Sequence, residues 1–482
     1  MLRLGGKYKH LVHDLGCGCL SPEIELASRR LEDLTRRGVL AGLGATLFAA
    51  AGSSVGFAQT PRAPGKVLLK QARLFDGKSA ISRSGMQLLI EGGRIAAIDT
   101  GNNPAPDGAT VIDCGGRTLM PGLIDVHWHS LFAAIPVVVA ATGEPGAIFT
   151  AATAEAQRTL MRGFTTVRDM GGPVFTFKQA IDNGVISGPR IFPSGAMITT
   201  TGGHGDLRML SEVPRTLAQL SIAEKSGGAM IADSAGEVQL RVREQFMQGA
   251  SQIKMVGGGG VSSPRSPLDM TTFSEADLRV AVAVANDWNS YVAVHAYAPR
   301  TVQRAIAAGA ACIEHAHLMD EETAGMMAEK GVWLSIQPFL TADDTVPLTG
   351  PSAERIQQVF AATPVAYDLA RKHGIKTAWG SDMLFSAEMT ARQGTMLTHL
   401  SRWYSNAEIL QMATSTNAEL LALSGPRSPY QGKLGVLEPG AFADMLVVDG
   451  DPLENIDLLS DPEKSLAVII KDGRIYKNAL SA

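Results

Sequence analysis

Between residues 122 and 380 the chain alternates short apolar runs with longer stretches of mixed composition. The apolar runs fall at 122–127, 165–168, 190–195, 252–256, 291–295, 311–315, 332–336 and 376–380. Continuous apolar runs of this length, rich in β-branched residues, read as strands buried on both faces. The stretches between them, such as 275–287 and 299–308, carry helix-period patterning. Eight strand-then-helix units over about 300 residues predict an α/β fold of the TIM (β/α)8 type, with a doubly wound sheet as the other arrangement.

The two ends follow a different pattern. Residues 67–74, 86–91, 94–99 and 110–113 read as short strands, with a hairpin turn at Glu91-Gly92-Gly93-Arg94. Residues 443–449 and 466–471 form a similar block, with a turn at Asp472-Gly473-Arg474. The simplest arrangement pairs both ends into one small β-sandwich and inserts the barrel between them. The predicted boundaries are 59–120 and 429–482 for the sandwich and 121–428 for the barrel.

Residues 1–58 fit neither pattern. Thr35-Arg36-Arg37-Gly38-Val39-Leu40 resembles a twin-arginine export signal, followed by an apolar run and then small residues up to Ala58. The run is shorter than the roughly 20 apolar residues that span a bilayer. The expectation is a signal read by the twin-arginine (Tat) export machinery, cleavage after Ala58, no stable membrane span, and a periplasmic or secreted product.

Composition narrows the class further. The net charge is −4, and 45% of the residues are hydrophobic, as in a soluble globular protein. A mildly acidic body argues against nucleic-acid binding. Cys17 and Cys19 fall in the leader; Cys114 and Cys312 lie far apart beside predicted strands and read as small buried hydrophobes.

Polar residues collect where the apolar strands end. His127 and His129 stand two apart at the end of the first strand, so they share a face and form half of a metal site. His295, His315 and Asp382 end or follow the fifth, sixth and eighth strands, and Lys254 lies in the fourth, just before Gly257-Gly258-Gly259-Gly260. In such barrels the chemistry sits at the C-terminal ends of the strands. A buried Lys254 beside two cations would have its pKa lowered by desolvation and like charge. Its neutral amine could then take up carbon dioxide, giving an anionic carbamate able to bridge two divalent ions. Two ions about 3.5–4 Å apart can share a hydroxide, with Asp382 as ligand and proton acceptor.

This set resembles the amidohydrolase superfamily. The resemblance rests on Pro121-Gly122-Leu123-Ile124-Asp125-Val126-His127-Trp128-His129, Lys254, His295, Ile313-Glu314-His315 and Gly380-Ser381-Asp382. The opening Glu91-Gly92-Gly93-Arg94-Ile95 and the closing segment 439–449 look alike to it as well, so that it covers roughly residues 66–478. It implies that one metal takes His127, His129 and Asp382. The other takes His295 and His315, and carboxylated Lys254 bridges. His317 shares a face with His315 and is the rival ligand. The histidine-rich set favours Zn2+.

Finer matches point to a branch. Segment 163–169, Thr201-Gly202-Gly203-His204-Gly205-Asp206 and Gly260-Val261-Ser262-Ser263-Pro264 resemble bacterial Xaa-Pro dipeptidases of the imidazolonepropionase-like branch. That branch includes amidases of N-acyl amino acids such as ochratoxin A. It implies that His204 polarises the scissile carbonyl and that Tyr297 holds the substrate's carboxylate. Arg265 and Arg300 are rival carboxylate anchors, and Asp125 reads as a buried structural hydrogen-bonding group.

The expected function is hydrolysis of an amide or peptide bond in a small substrate with a free carboxylate. A hydrolase of cyclic amides or lactones on the same site is the alternative. A deaminase fits less well, because Ala296-Tyr297-Ala298 after His295 offers no Glu as a proton shuttle. A non-catalytic exported binding protein should have lost a ligand, and all six positions are filled. The acyl preference, the native metal, the true start of the chain and the oligomeric state, with a homo-oligomer among the outcomes, do not follow from the sequence.

Overall fold

A computed structural model describes residues 65–101, 103–213, 219–263 and 265–480. The predicted export signal lies outside the described residues. The chain ends meet in one eight-stranded sheet. Its strands are β1 (Val67–Leu74), β2 (Arg83–Glu91), β3 (Arg94–Asp99), β4 (Thr110–Asp113), β5 (Thr118–Pro121), β16 (Met445–Val448), β17 (Leu466–Lys471) and β18 (Arg474–Asn478). The order is β18-β17-β16-β5-β1-β2-β3, with β4 beside β1. β5 and β16 join the two ends in antiparallel register, from Pro121 opposite Met445 to Thr118 opposite Val448. Inward residues including Leu69, Leu88, Ile90, Leu119, Val447 and Val468 form their own apolar cluster. The described pairings make one connected sheet from both chain ends.

β5 ends at Pro121 and β6 (Leu123–Trp128) begins two residues later, so the sheet hands the chain directly to the barrel. β7 (Phe164–Asp169) and β8 (Arg190–Pro193) lie beside β6 in parallel. β9 (Met197–Thr199) and β10 (Ala229–Ile231) open a second sheet. It continues in parallel through β11 (Ile253–Val256), β12 (Val292–Ala296), β13 (Cys312–His315), β14 (Trp333–Ile336) and β15 (Thr377–Trp379). Every barrel strand expected from the apolar runs is present, with ends shifted by one or two residues. β9 and β10 were not expected, since three residues are too few to show a period.

Side chains close the two seams between the sheets. Gln252 Nε2 donates to Phe192 O at 3.0 Å and Asp169 O at 3.3 Å, and Ser251 N donates to Pro193 O at 2.7 Å. At the other seam a π-helical turn, Met412–Thr416, delivers Asn417 between β15 and β6. Asn417 Nδ2 donates to Ile124 O and Trp379 O, both at 2.7 Å, and its Oδ1 accepts from Trp379 N at 3.0 Å. One amide thus replaces a backbone ladder. No helix among the described residues is long and apolar enough to cross a membrane.

Candidate metal centre

The barrel's register gathers the candidate ligands at one end. Val256 pairs with His295 and Ala296 with His315, so His315 stands one residue beyond His295; Lys254 pairs with Ala293, two residues deeper than His295. His127 Nε2 and His129 Nε2 each lie 3.4 Å from Asp382 Oδ1. Ligand atoms of these three residues all fall within 4.8 Å of one another, the spacing of a metal-binding group. Lys254 Nζ is 3.4 Å from His127 Nε2. The His315 ring centre lies 5.0 Å from that of His127 and 4.5 Å from that of His295.

Each imidazole has one nitrogen committed to a neighbour. His127 Nδ1 lies 2.8 Å from Glu314 Oε2, His129 Nδ1 3.1 Å from Gly171 O, and His315 Nδ1 2.7 Å from Gln337 Oε1. His295 is reversed: its Nε2 lies 2.8 Å from Gly259 O. The oxygens beside His129, His295 and His315 require the proton on that nitrogen, and the Glu314 carboxylate beside His127 favours it there; the other lone pair is left free. The free atoms are Nε2 of His127, His129 and His315, and Nδ1 of His295. Such outer hydrogen bonds fix the tautomer of metal-ligating histidines. The donor set therefore fits divalent ions.

The electrostatics agree. Burial, helped by Lys254, pushes His127 down to about 4. Burial and neighbouring imidazoles push His295 and His315 well below the usual histidine range. Neutral imidazole is the ligating form. Burial also lowers Lys254, which is only 2% exposed. Burial opposes ionisation of Asp382, but His127 and His129 outweigh it and hold the carboxyl below its ordinary value. At His129 burial opposes the charge and the Asp382 carboxylate prevails, raising its pKa. Without a metal, that carboxylate draws a proton to the same spot.

The backbone is strained where the ligands turn inward. His315 (φ 79°), Ala316 (φ 51°) and Asp382 (φ 51°) all adopt the left-handed region without being glycine. Asp382 N donates to His127 O at 2.8 Å. Asp125 is the structural group expected: Oδ1 accepts from His127 N and Ser381 N, both at 3.0 Å, and Oδ2 accepts from Ser381 Oγ at 2.6 Å and Gln393 Nε2 at 2.8 Å.

Of the remaining candidates, His204 stacks on His295 with ring centres 4.5 Å apart. Its Nδ1 has no hydrogen-bond partner, and burial lowers it to about 4. Tyr297 is buried and stacks on His315 at 4.8 Å. His317 is turned toward Phe339 and Gln337 O and does not line the cavity, whereas His315 does. Arg265 and Arg300 are exposed and lie outside the cavity wall.

The cavity has two lobes, of about 630 and 860 Å3, which share His204, His295 and Asp382. Phe339, Leu348 and Ile356 wall one lobe; Phe132, Met197 and Leu207 wall the other. Among the described residues, Lys254 is the only Lys or Arg lining either lobe. Sequence reasoning missed Gln337, Arg168 and the role of Glu314. Gln337 directly follows β14, one of the strands left without a candidate, so the strand-end rule could have found it.

A parallel barrel with histidines, a lysine and an aspartate at its strand ends defines a metal-dependent hydrolase. Residues 118–475 match the amidohydrolase family, and the chain belongs to it. It is an enzyme, a metal-dependent hydrolase acting on amide bonds. The chain is 30% identical to an Aspergillus niger ochratoxinase over 386 residues, 74% of this chain and 75% of the relative. A solved prolidase in complex with N-methylphosphonate-L-proline superposes with TM-score 0.79 at 32% identity, covering 86% of this chain and all (100%) of that one. A Xaa-Pro dipeptidase with methionine bound in its active site gives TM-score 0.74 at 29% identity, over 86% of this chain and 100% of that one.

Proposed function

We propose that this enzyme cleaves the amide bond of a small N-acyl amino acid or dipeptide with a free carboxylate, using two divalent ions, with Zn2+ favoured by the donor set. The observation that carries this is the convergence of four imidazoles with fixed tautomers, Asp382 and buried Lys254 on a cavity lobed to either side of them. His127, His129 and Asp382 would hold one ion, His295 and His315 the other. Lys254 would bridge as a carbamate, its neutral amine bonding to carbon dioxide with loss of one proton. The bound ions would supply an acidified water and a Lewis acid for the carbonyl.

The chain's own groups do the rest. Asp382, held ionised, accepts a proton from the attacking water and returns it to the leaving nitrogen. His204, held neutral and facing the space shared by both lobes, donates its N–H to the carbonyl oxygen. Tyr297, which lines one lobe, would hold the carboxylate. Apolar walls on both sides of His204 support a substrate with an apolar group on each side of the amide.

The activities of the relatives, ochratoxinase and prolidase, support the same reading. The test is a kinetic panel of Xaa-Pro, other dipeptides and aromatic N-acyl amino acids with metal-loaded enzyme. Apolar N-acyl amino acids are expected to have the highest kcat/KM. Lys254→Ala and chelator-stripped enzyme are each expected to lose at least about a thousandfold in kcat. Full activity in the stripped enzyme would refute the mechanism. Export through Arg36-Arg37 to the periplasm belongs to the same proposal. A mature N-terminus other than Gln59 in the exported protein would count against cleavage after Ala58.

A further inference from the structure

Beneath the ligands the barrel interior contains an ion pair. Arg168 of β7 and Glu314 of β13 are both 0% exposed, with Nη2 2.7 Å from Oε1. Arg168 also donates from Nε to Val126 O at 2.5 Å and from Nη1 to Tyr291 Oη at 3.1 Å. The Cys312 thiol donates to Glu314 Oε1 at 3.2 Å. Glu314 Oε2, by contrast, is turned to His127 Nδ1 at 2.8 Å. A buried ion pair is weak evidence for stability, because desolvation offsets its attraction. Here its geometry points upward, to one ligand.

The four imidazoles differ in what accepts their outer proton. His129 and His295 have backbone carbonyls, and His315 has an amide oxygen. Only His127 faces a carboxylate there, Glu314 Oε2 at 2.8 Å. An anionic acceptor fixes the tautomer more firmly and makes the opposite nitrogen a stronger donor. Arg168 holds that carboxylate in place. We propose that Glu314, locked by Arg168, is a positioning residue that makes the ion held by His127, His129 and Asp382 the tighter of the two. This rests on the two-metal reading above.

The experiment is chelator competition on the full enzyme loaded with Zn2+. Wild type is expected to release its metal in two steps. His295→Ala should remove the weaker step and His129→Ala the tighter one. Glu314→Gln would leave Arg168 buried and unpaired, so it is examined both alone and together with Arg168→Met, which restores neutrality. In each, the tighter step is expected to weaken about 10–100-fold while the other stays within about twofold. Arg168→Lys keeps the charge and should retain both steps. Glu314→Asp keeps the charge but shortens the reach, and should weaken the tighter step even though it folds. A purely structural pair would move both steps together or neither, and either result overturns the proposal. Wild type that binds fewer than two ions would refute the two-metal reading instead.

Discussion

A methyl group on Gly260 would sit 2.3 Å from His204 Nδ1. That distance states why a glycine run follows β11. The loop must pass against the imidazole that reaches the shared space of both cavity lobes. At Gly259 the same addition would meet Pro267 O at 1.6 Å, so this backbone is packed on two sides. Gly260→Ala must displace either the loop or the His204 ring. Because the ring's Nδ1 has no protein partner, the ring is the easier of the two to move. The expected result is a fall in kcat of about 10–100-fold with the metal content unchanged, since misplacing a group near the reacting atoms by about 1 Å costs that much. Metal content and kcat measured on the same sample check this. Loss of metal in proportion to activity would point to collapse of the whole centre.

Among the elements, the seam between β15 and β6 is closely packed. A Cβ on Gly380 would lie 2.5 Å from both His127 N and His127 Cβ. The two strands are held at that spacing by Asn417 from above and by Asp125 and Ser381 across the seam. Gly380→Ala is expected to cost about 1–3 kcal/mol by overpacking, and to push His127 away from Asp382. Thermal melting should show a lower Tm, and metal affinity should fall with it. A lowered Tm with unchanged affinity would separate the seam from the site. The strands on either side of this seam were legible in the sequence, because a buried parallel strand is an apolar run that needs no partner to be recognised. The candidate ligands were legible for the same reason, as polar residues at the ends of such runs. The seam itself was not: Asp125 and Ser381 are 256 residues apart, and Asp125 and Gln393 268. Nor was the left-handed turn at His315 and Asp382, which no glycine marks. The Arg168–Glu314 pair was hidden in plain apolar strands, where a charge at mid-strand carries no sign of its partner.

At the scale of the molecule, barrel and terminal sheet are tied by charge. Arg190 of β8 donates to Asp444 Oδ2 at 2.7 Å and Oδ1 at 3.2 Å, and to Asp472 Oδ1 at 2.9 Å. Asp444 O accepts from Gly122 N at 3.0 Å, so the joint also fixes the start of β6. Lys471, at the end of β17, is 5% exposed beside this arginine. Burial, with Arg190 second, brings its pKa down from 10.5 to about 8. The folded state thus binds that proton more weakly than the unfolded chain. Below pH 8 both states hold the proton, and folding carries the full penalty, on the order of 3 kcal/mol for such a shift. From pH 8 to about 10.5 the folded lysine is neutral while the unfolded one is still charged, so the penalty fades as pH rises. Asp444 and Asp472 keep Arg190 as their cation when Lys471 is removed. Lys471→Met is therefore expected to raise Tm at pH 7, with the gain shrinking steadily toward pH 10.5. Paired melting curves of variant and wild type across that range test it, because every other titrating group is common to both. A gain of the same size at pH 7 and pH 10.5 would mean that packing, and not the buried charge, sets the strength of the joint.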